Sequence, residues 1–247
     1  TSLQVTPTLF SSLQGDSKGG GGVAIQKENC QKEDRITSPS AYNDSGMENT
    51  LYCAAVDLLV QWYKSPVKNL PPLPLYDEEL YLREVSLFPD WFLPKILGEH
   101  RASELRSEYM NIWRGILSSA NLSKEIFVHR DFHADNLMWL GERSGAKRVG
   151  LLDFQDGVFG DAAYDMVSLL EDARRDVSLE LAESMIARYL SETDIDEGNF
   201  RTAYDILGAQ RNSKIIGIFV RLAVRDGKDG YLKFLPLVWS YLQRDVA

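Results

Sequence analysis

Residues 128–136 read Val-His-Arg-Asp-Phe-His-Ala-Asp-Asn, and residues 151–156 read Leu-Leu-Asp-Phe-Gln-Asp. Between them lie two short apolar runs, Leu137–Leu140 and Val149–Leu152, joined by the turn-forming stretch Gly141–Lys147. Two such strand-suited runs around a polar, glycine-containing connection predict a β-hairpin. With the turn centred between Ser144 and Gly145, residues whose numbers sum to 289 oppose one another, which sets Asn136 against Asp153, give or take a residue. Directly opposed residues have Cβ atoms about 4.5–5.5 Å apart, so an amide oxygen and a carboxylate placed there can share one hard divalent cation. Mg²⁺ suits such a pair, because it uses one or two protein oxygens and fills its other positions with water and phosphate. Asp131, five residues before Asn136, lies on the approach to the first strand and is placed to accept a proton rather than to bind metal. A carboxylate base, a metal-binding amide and a metal-binding carboxylate are the parts needed for phosphoryl transfer from a nucleotide.

Composition restricts the partners. The 247 residues are 44% hydrophobic, enough for one large domain or two modest ones with a real core. Lys plus Arg number 27 and Asp plus Glu 36, a net charge of −9, and basic residues never cluster beyond a pair. Nucleic acid and anionic membrane are therefore not expected as partners. The two cysteines, Cys30 and Cys53, lack metal-type spacing, and neither a leader nor an apolar run of about 18 residues is seen, so a cytoplasmic protein is expected.

Working outward, residues 1–46 carry little apolar periodicity and include Gly19-Gly20-Gly21-Gly22 followed by Val23-Ala24-Ile25, readable as a flexible turn before a strand or as a linker. From Met47 the spacing of Leu51, Ala55, Leu58, Leu59 and Trp62 predicts a core-facing helix ending at Ser65-Pro66. A rigid proline-rich connector, Leu70–Pro74, precedes helical pieces at Glu78–Val85 and Phe88–Leu97. Leu105, Tyr109, Ile112, Trp113 and Ile116 form a further stripe, with Trp113 assigned to the core. Helices are also predicted at about 162–173, 179–190, 200–224 and 231–242.

His129-Arg130-Asp131 with Asn136 fits the pattern H-R-D-x-x-x-x-N, and Asp153-Phe154-Gln155 stands where D-F-G occurs in kinases. Together with Gly160-Asp161 and Tyr164–Leu170, these residues resemble the aminoglycoside phosphotransferase family of small-molecule kinases. The likeness runs from about residue 51 to the end and is greatest toward the branch of bacterial kinases acting on the anomeric hydroxyl of cell-wall amino sugars. The resemblance implies an α+β, protein-kinase-like fold: residues 47–247 form a mostly helical C-lobe carrying the catalytic hairpin and acceptor site, and residues 1–46 form an incomplete or partly missing β-rich nucleotide-binding N-lobe. It further implies that Asp131 is the catalytic base, that Asn136 and Asp153 hold Mg²⁺, that ATP is the phosphate donor, and that Asp165 is a buried structural aspartate bracing the catalytic loop. The strand lysine that pairs with the α- and β-phosphates has one weak candidate, Lys27, since Gln26 interrupts the order V-A-I-K.

His129 is expected to support the loop backbone through its ring nitrogens, while His133 either shapes the acceptor pocket, with Asp156, or points to solvent. Glu171, Asp172 and Asp176 read as a solvated helix end, or else as a negative surface welcoming a cationic acceptor. Arg211, Lys214 and Arg221 cover an apolar helix face or bind an acidic sugar. Glycine permits a backbone flip at the third position of D-F-G, whereas Gln155 resists positive φ, so an Asp153 fixed inward is expected.

The preferred reading is ATP- and Mg²⁺-dependent transfer to a hydroxyl of a sugar or amino sugar. An aminoglycoside or choline-type kinase, a non-catalytic kinase-like nucleotide binder, and a metal-dependent hydrolase using His129, His133, Asp131 and Asp153 are the alternatives. A protein kinase is excluded: helical pattern resumes near Ala162, leaving no room for a long activation segment.

Overall fold

A computed structural model describes residues 45–65 and 72–247. The glycine run, Lys27, and the rest of the expected N-lobe segment up to residue 44 lie outside the described residues, as do Leu70 and Pro71 of the proline-rich connector. The chain divides into two compact units, whose described parts are residues 78–120 with 208–247, and residues 45–65 with 72–77 and 121–207.

Numbered in chain order, the helices are α1 (Ser45–Lys64), α2 (Glu78–Val85), α3 (Leu93–Leu97), α4 (Glu99–Ser119), α5 (Ala163–Leu170), α6 (Leu179–Ser191), α7 (Glu197–Asp226) and α8 (Leu235–Asp245). The unit formed by 78–120 and 208–247 thus contains α2, α3, α4, the later part of α7, and α8. Between α2 and α3 the chain makes a π-helical turn, Phe88–Phe92, with Pro89 in its first turn. Its two phenylalanines start an aromatic core: Phe88 stacks on Tyr109 at 5.4 Å, and Phe92 lies 5.7 Å from Trp239. Trp113 is buried as expected, but Ile112 is 55% exposed, because adjacent positions on a helix diverge by about 100° and only one of the two can face the core. Burial also pushes the Tyr109 hydroxyl up to about 12. The closest backbone approach is at Gly217 of α7, where a Cβ would sit 2.3 Å from the Leu87 carbonyl carbon. Lys214 is committed to Glu84, Nζ to Oε1 at 2.8 Å, in a largely buried pair, and Arg211 is itself buried. Neither is presented as a binding site for an acidic sugar.

In the second unit α1 presents Leu51, Tyr52, Ala55, Val56, Leu58 and Leu59 to the core, the i, i+3, i+4 pattern read from sequence. It packs on α6, with Tyr63 and Tyr189 edge to face at 6.4 Å. Two antiparallel pairs carry the loops that matter. Strand β1 (Ile126–Val128) pairs with β4 (Val158–Gly160), in the register Phe127↔Phe159, and β2 (Leu137–Trp139) pairs with β3 (Val149–Leu151), in the register Met138↔Gly150. The β1–β4 pair was not anticipated, whereas the hairpin was. Leu75 adds a parallel bridge to Phe159, sealed by hydrogen bonds from the Tyr76 N–H to the Phe159 carbonyl (2.7 Å) and from the Phe159 N–H to the Pro74 carbonyl (2.9 Å). Trp62 of α1 locks onto this sheet and the following loop, edge-on to Phe127 at 4.7 Å and to Phe132 at 5.3 Å. Helix α5 is buried at all eight positions, as a helix through the middle of a core must be.

Candidate active site

The loop 129–136 leaves β1 and enters β2. Its first turn depends on a buried carboxylate. Asp165 of α5, 2% exposed, accepts the backbone N–H of His129 at 2.6 Å (Oδ2) and of Arg130 at 3.0 Å (Oδ1). Hydrogen bonds to an ionised acceptor are about twice as strong as neutral ones, and here they fix Arg130 at φ 74°, a left-handed conformation that costs a side-chain-bearing residue about 1–2 kcal/mol. The Arg130 guanidinium then lies over the Tyr76 ring, 5.4 Å from its centre, and donates from Nη1 to the Asp156 carbonyl at 3.3 Å. The sharp bend leaves Asp131 exposed at the turn, between the buried His129 and Phe132.

The rest of the loop folds on itself. The His133 N–H donates to the Asp131 carbonyl at 3.0 Å, and Nδ2 of Asn136 donates to the same carbonyl at 3.0 Å. With its nitrogen so used, the Asn136 amide keeps its oxygen for another partner. Nδ2 of Asn136 also lies 3.4 Å from Nε2 of His133, whose ring is buried rather than turned to solvent.

His129 lies at the start of the loop. Its ring is fully buried, and its backbone N–H ties the start of the loop to Asp165. Desolvation lowers the ring pKa below the ordinary 6.5, against the opposing pull of the Asp131 carboxylate, the Leu152 backbone and Asp153. It is a neutral core residue at pH 7.

The hairpin register differs by one from that read from sequence. Paired numbers sum to 288: Leu137 faces Leu151, the Leu140 N–H meets the Arg148 carbonyl, and the Leu152 N–H donates to the Asn136 carbonyl at 2.9 Å. Asn136 therefore opposes Leu152, and Asp153 lies one residue beyond the ladder. The turn holds a 3₁₀ segment, Gly145–Arg148, which shifts its centre toward the first strand. A one-residue offset would normally reverse the face a side chain occupies. At Asp153 strict alternation no longer holds, because this residue has φ 55° and turns the chain out of the strand. Positive φ thus falls on Asp153 itself, not on Gln155. Gly157 closes the turn, its N–H donating to the Phe154 carbonyl at 3.3 Å, at a position where a Cβ would lie 2.7 Å from the Phe127 ring.

Asp161, part of the quoted Gly160-Asp161 pair, has a structural task that spacing could partly signal. Oδ1 accepts the N–H of Ala163 at 2.9 Å, a local turn ahead of α5, and Oδ2 accepts the N–H of Ser123 at 2.8 Å. Burial raises its pKa, although both N–H groups favour the charged form. Glu171 and Asp172 are fully buried, not solvated; Asp172 accepts the N–H of Arg174 at 3.0 Å, while Arg174 reaches Asp135. The negative surface that would have welcomed a cationic acceptor is reduced to Asp176.

Among the described residues no three of His, Cys, Asp or Glu converge as a metal site, so the set required for a zinc hydrolase does not assemble. No described helix is long and apolar enough to cross a membrane.

A loop aspartate, an asparagine five residues on and a post-strand aspartate, with a buried acid in a later helix bracing the loop, are arranged as in kinase-like phosphotransferases. The chain belongs to the APH phosphotransferase enzyme family, whose sequence profile matches residues 38–201. It is 38% identical to an N-acetylmuramate/N-acetylglucosamine kinase of Caulobacter vibrioides over 203 residues, 79% of this chain and 56% of that protein. It is 35% identical to proteins of the same name from Neisseria meningitidis serogroup B (78% and 58% covered) and Pseudomonas aeruginosa (82% and 60%). The chain thus spans less than two thirds of the length of these curated relatives.

Proposed function

We propose that this chain carries the catalytic loop and acceptor side of an ATP- and Mg²⁺-dependent kinase that phosphorylates a hydroxyl of an amino sugar, with N-acetylmuramate and N-acetylglucosamine as the first acceptors to test. The observation that supports it most directly is the loop itself. Asp131 stands exposed on a turn whose backbone is clamped by Asp165, while Asn136 is tied to the carbonyl of that same Asp131. Base and metal-binding amide are thereby held as one rigid piece, which is what a reaction dependent on positioning needs.

In this reading Asp131 receives the acceptor proton, and Asn136 and Asp153 supply oxygen donors. An amide oxygen and a carboxylate suit a hard cation that keeps its other positions for phosphate and water. Bound there, Mg²⁺ would neutralise charge developing on the transferred phosphoryl group. Arg130 joins the loop to the 153–157 turn through the Asp156 carbonyl, so that the base and Asp153 are held on connected backbone. His133 and Asp156 are candidates for the acceptor pocket, and Lys27 for the phosphates, on sequence grounds alone. The loss of Glu171 and Asp172 to the interior favours a sugar over a cationic antibiotic or choline.

The test is nucleotide consumption with a panel of amino sugars, aminoglycosides, choline and homoserine. Turnover is expected with amino sugars, abolished in Asp131→Ala while Mg-nucleotide binding persists. Binding without turnover on any acceptor would favour a non-catalytic nucleotide binder, and turnover only with an aminoglycoside would replace the acceptor class.

A further inference from the structure

The catalytic loop is anchored at both ends by groups from one helix and the turn that follows it. Asp165 of α5 holds the start of the loop. At the far end Asp135, directly before Asn136 in the 3₁₀ turn Ala134–Asn136, pairs with Arg174, Nε to Oδ2 at 3.3 Å. Nη1 of the same guanidinium lies 3.6 Å from Oδ1 of Asp172, whose side chain is 1% exposed, and the Arg174 N–H donates to that oxygen. The turn is continuous with α5: the Glu171 N–H donates to the Val167 carbonyl (2.8 Å) and the Arg175 N–H to the Asp172 carbonyl (3.0 Å).

Magnitudes separate the two halves of this bridge. The Asp135–Arg174 contact, with both side chains about one-third exposed, would alone contribute roughly 0–1 kcal/mol. Asp172 changes its meaning, because a buried carboxylate holds its cation in place: an Arg174 that swung away would leave that charge uncompensated. Asp135 therefore docks onto a guanidinium already fixed relative to α5.

We propose that Arg174 is a positioning residue, transmitting the placement of α5 through Asp135 to the backbone of Asn136. This rests on the reading above of Asn136 as a Mg²⁺ ligand. Loss of a group that orients a metal ligand weakens metal affinity or activity by about 10–100-fold.

The experiment compares Arg174→Ala, Asp135→Asn and their double variant in the whole protein. It measures the Mg²⁺ concentration that half-saturates turnover and, by calorimetry without an acceptor, the Mg²⁺ dependence of nucleotide binding. Each single variant is expected to raise the Mg²⁺ requirement about tenfold, the low end for outer-shell partners, with the acceptor KM unchanged. The double variant should be no worse than either single one, since both break the same link. Arg174→Lys should recover part of the effect, and Arg188→Ala, which removes a 2.7 Å ion pair to Asp57 outside the loop, should leave the Mg²⁺ requirement unaltered. Asp135→Asn leaves the Asp172–Arg174 pair intact, so it decides the matter even if Arg174→Ala folds poorly. An unchanged Mg²⁺ requirement in Asp135→Asn, or effects of the two variants that multiply, would overturn the proposal. Wild-type protein without turnover would refute the kinase reading instead, and the calorimetric comparison would still judge the role of Arg174.

Discussion

Replacing Asp165 by Asn tests whether one buried carboxylate sets the geometry of the catalytic loop. The carboxylate receives two backbone N–H groups, at 2.6 and 3.0 Å, from consecutive residues, the second of them in a left-handed conformation. An amide of the same shape offers one oxygen and turns an NH₂ toward the other N–H. The change removes one charge-assisted bond, about 1.5–3 kcal/mol, and leaves a donor unsatisfied, about 1–3 kcal/mol, for a combined loss of roughly 2.5–6 kcal/mol. Against the 5–15 kcal/mol typical of a domain this is a severe but survivable loss, expected as a fall of about 10 °C in Tm. With the brace gone, Arg130 relaxes toward negative φ and carries Asp131 with it, and a displacement near 1 Å costs about 100-fold in rate. Urea denaturation followed by tryptophan fluorescence gives the stability, and nucleotide turnover gives the rate. A loss below about 1 kcal/mol with kcat unaltered would refute the brace.

Other expectations concern separate parts of the molecule. Gly217→Ala places a Cβ within 2.3–2.4 Å of the Leu87 carbonyl group, and since backbone cannot yield as a side-chain tip can, it should cost about 3 kcal/mol or more in urea unfolding; a change within 1 kcal/mol would show that the helices separate freely. Glu84→Ala leaves Lys214 largely buried without this partner and should destabilise by about 3–5 kcal/mol, whereas replacing both residues with apolar ones should recover much of the loss. The His129 ring has a folded pKa below its ordinary 6.5, so above pH 6.5 both folded and unfolded forms are neutral and it has no effect. As pH falls below 6.5 the unfolded chain takes up the proton and the folded one resists, which removes up to about 1.4 kcal/mol per pH unit until the folded pKa is reached. His129→Leu should flatten that acid limb of the stability curve, and an unchanged limb would place the titration elsewhere.

The candidate site residues could be picked out because they are local in sequence: Asp131, Asn136 and Asp153 lie within one loop and one hairpin, and apolar spacing marked α1, α2 and α6 nearly to their ends. A 3.6-residue period needs no knowledge of the partner surface. Register was harder, since the turn's 3₁₀ segment moved the pairing from 289 to 288 without altering any apolar pattern. The β1–β4 pair escaped because each strand has three residues and its partner lies about thirty positions away, too short for alternation to register. Burial decided the rest. Glu171 and Asp172 carry the charges of a solvated helix end, until packing removes water from both. Sequence determined which polar groups this protein carries in the loop and hairpin. Only the tertiary structure decided that Arg130 adopts a left-handed turn, that Arg174 meets Asp135, and that the Asn136–Asp153 pairing is offset, because desolvation and long-range contacts depend on what the chain folds against.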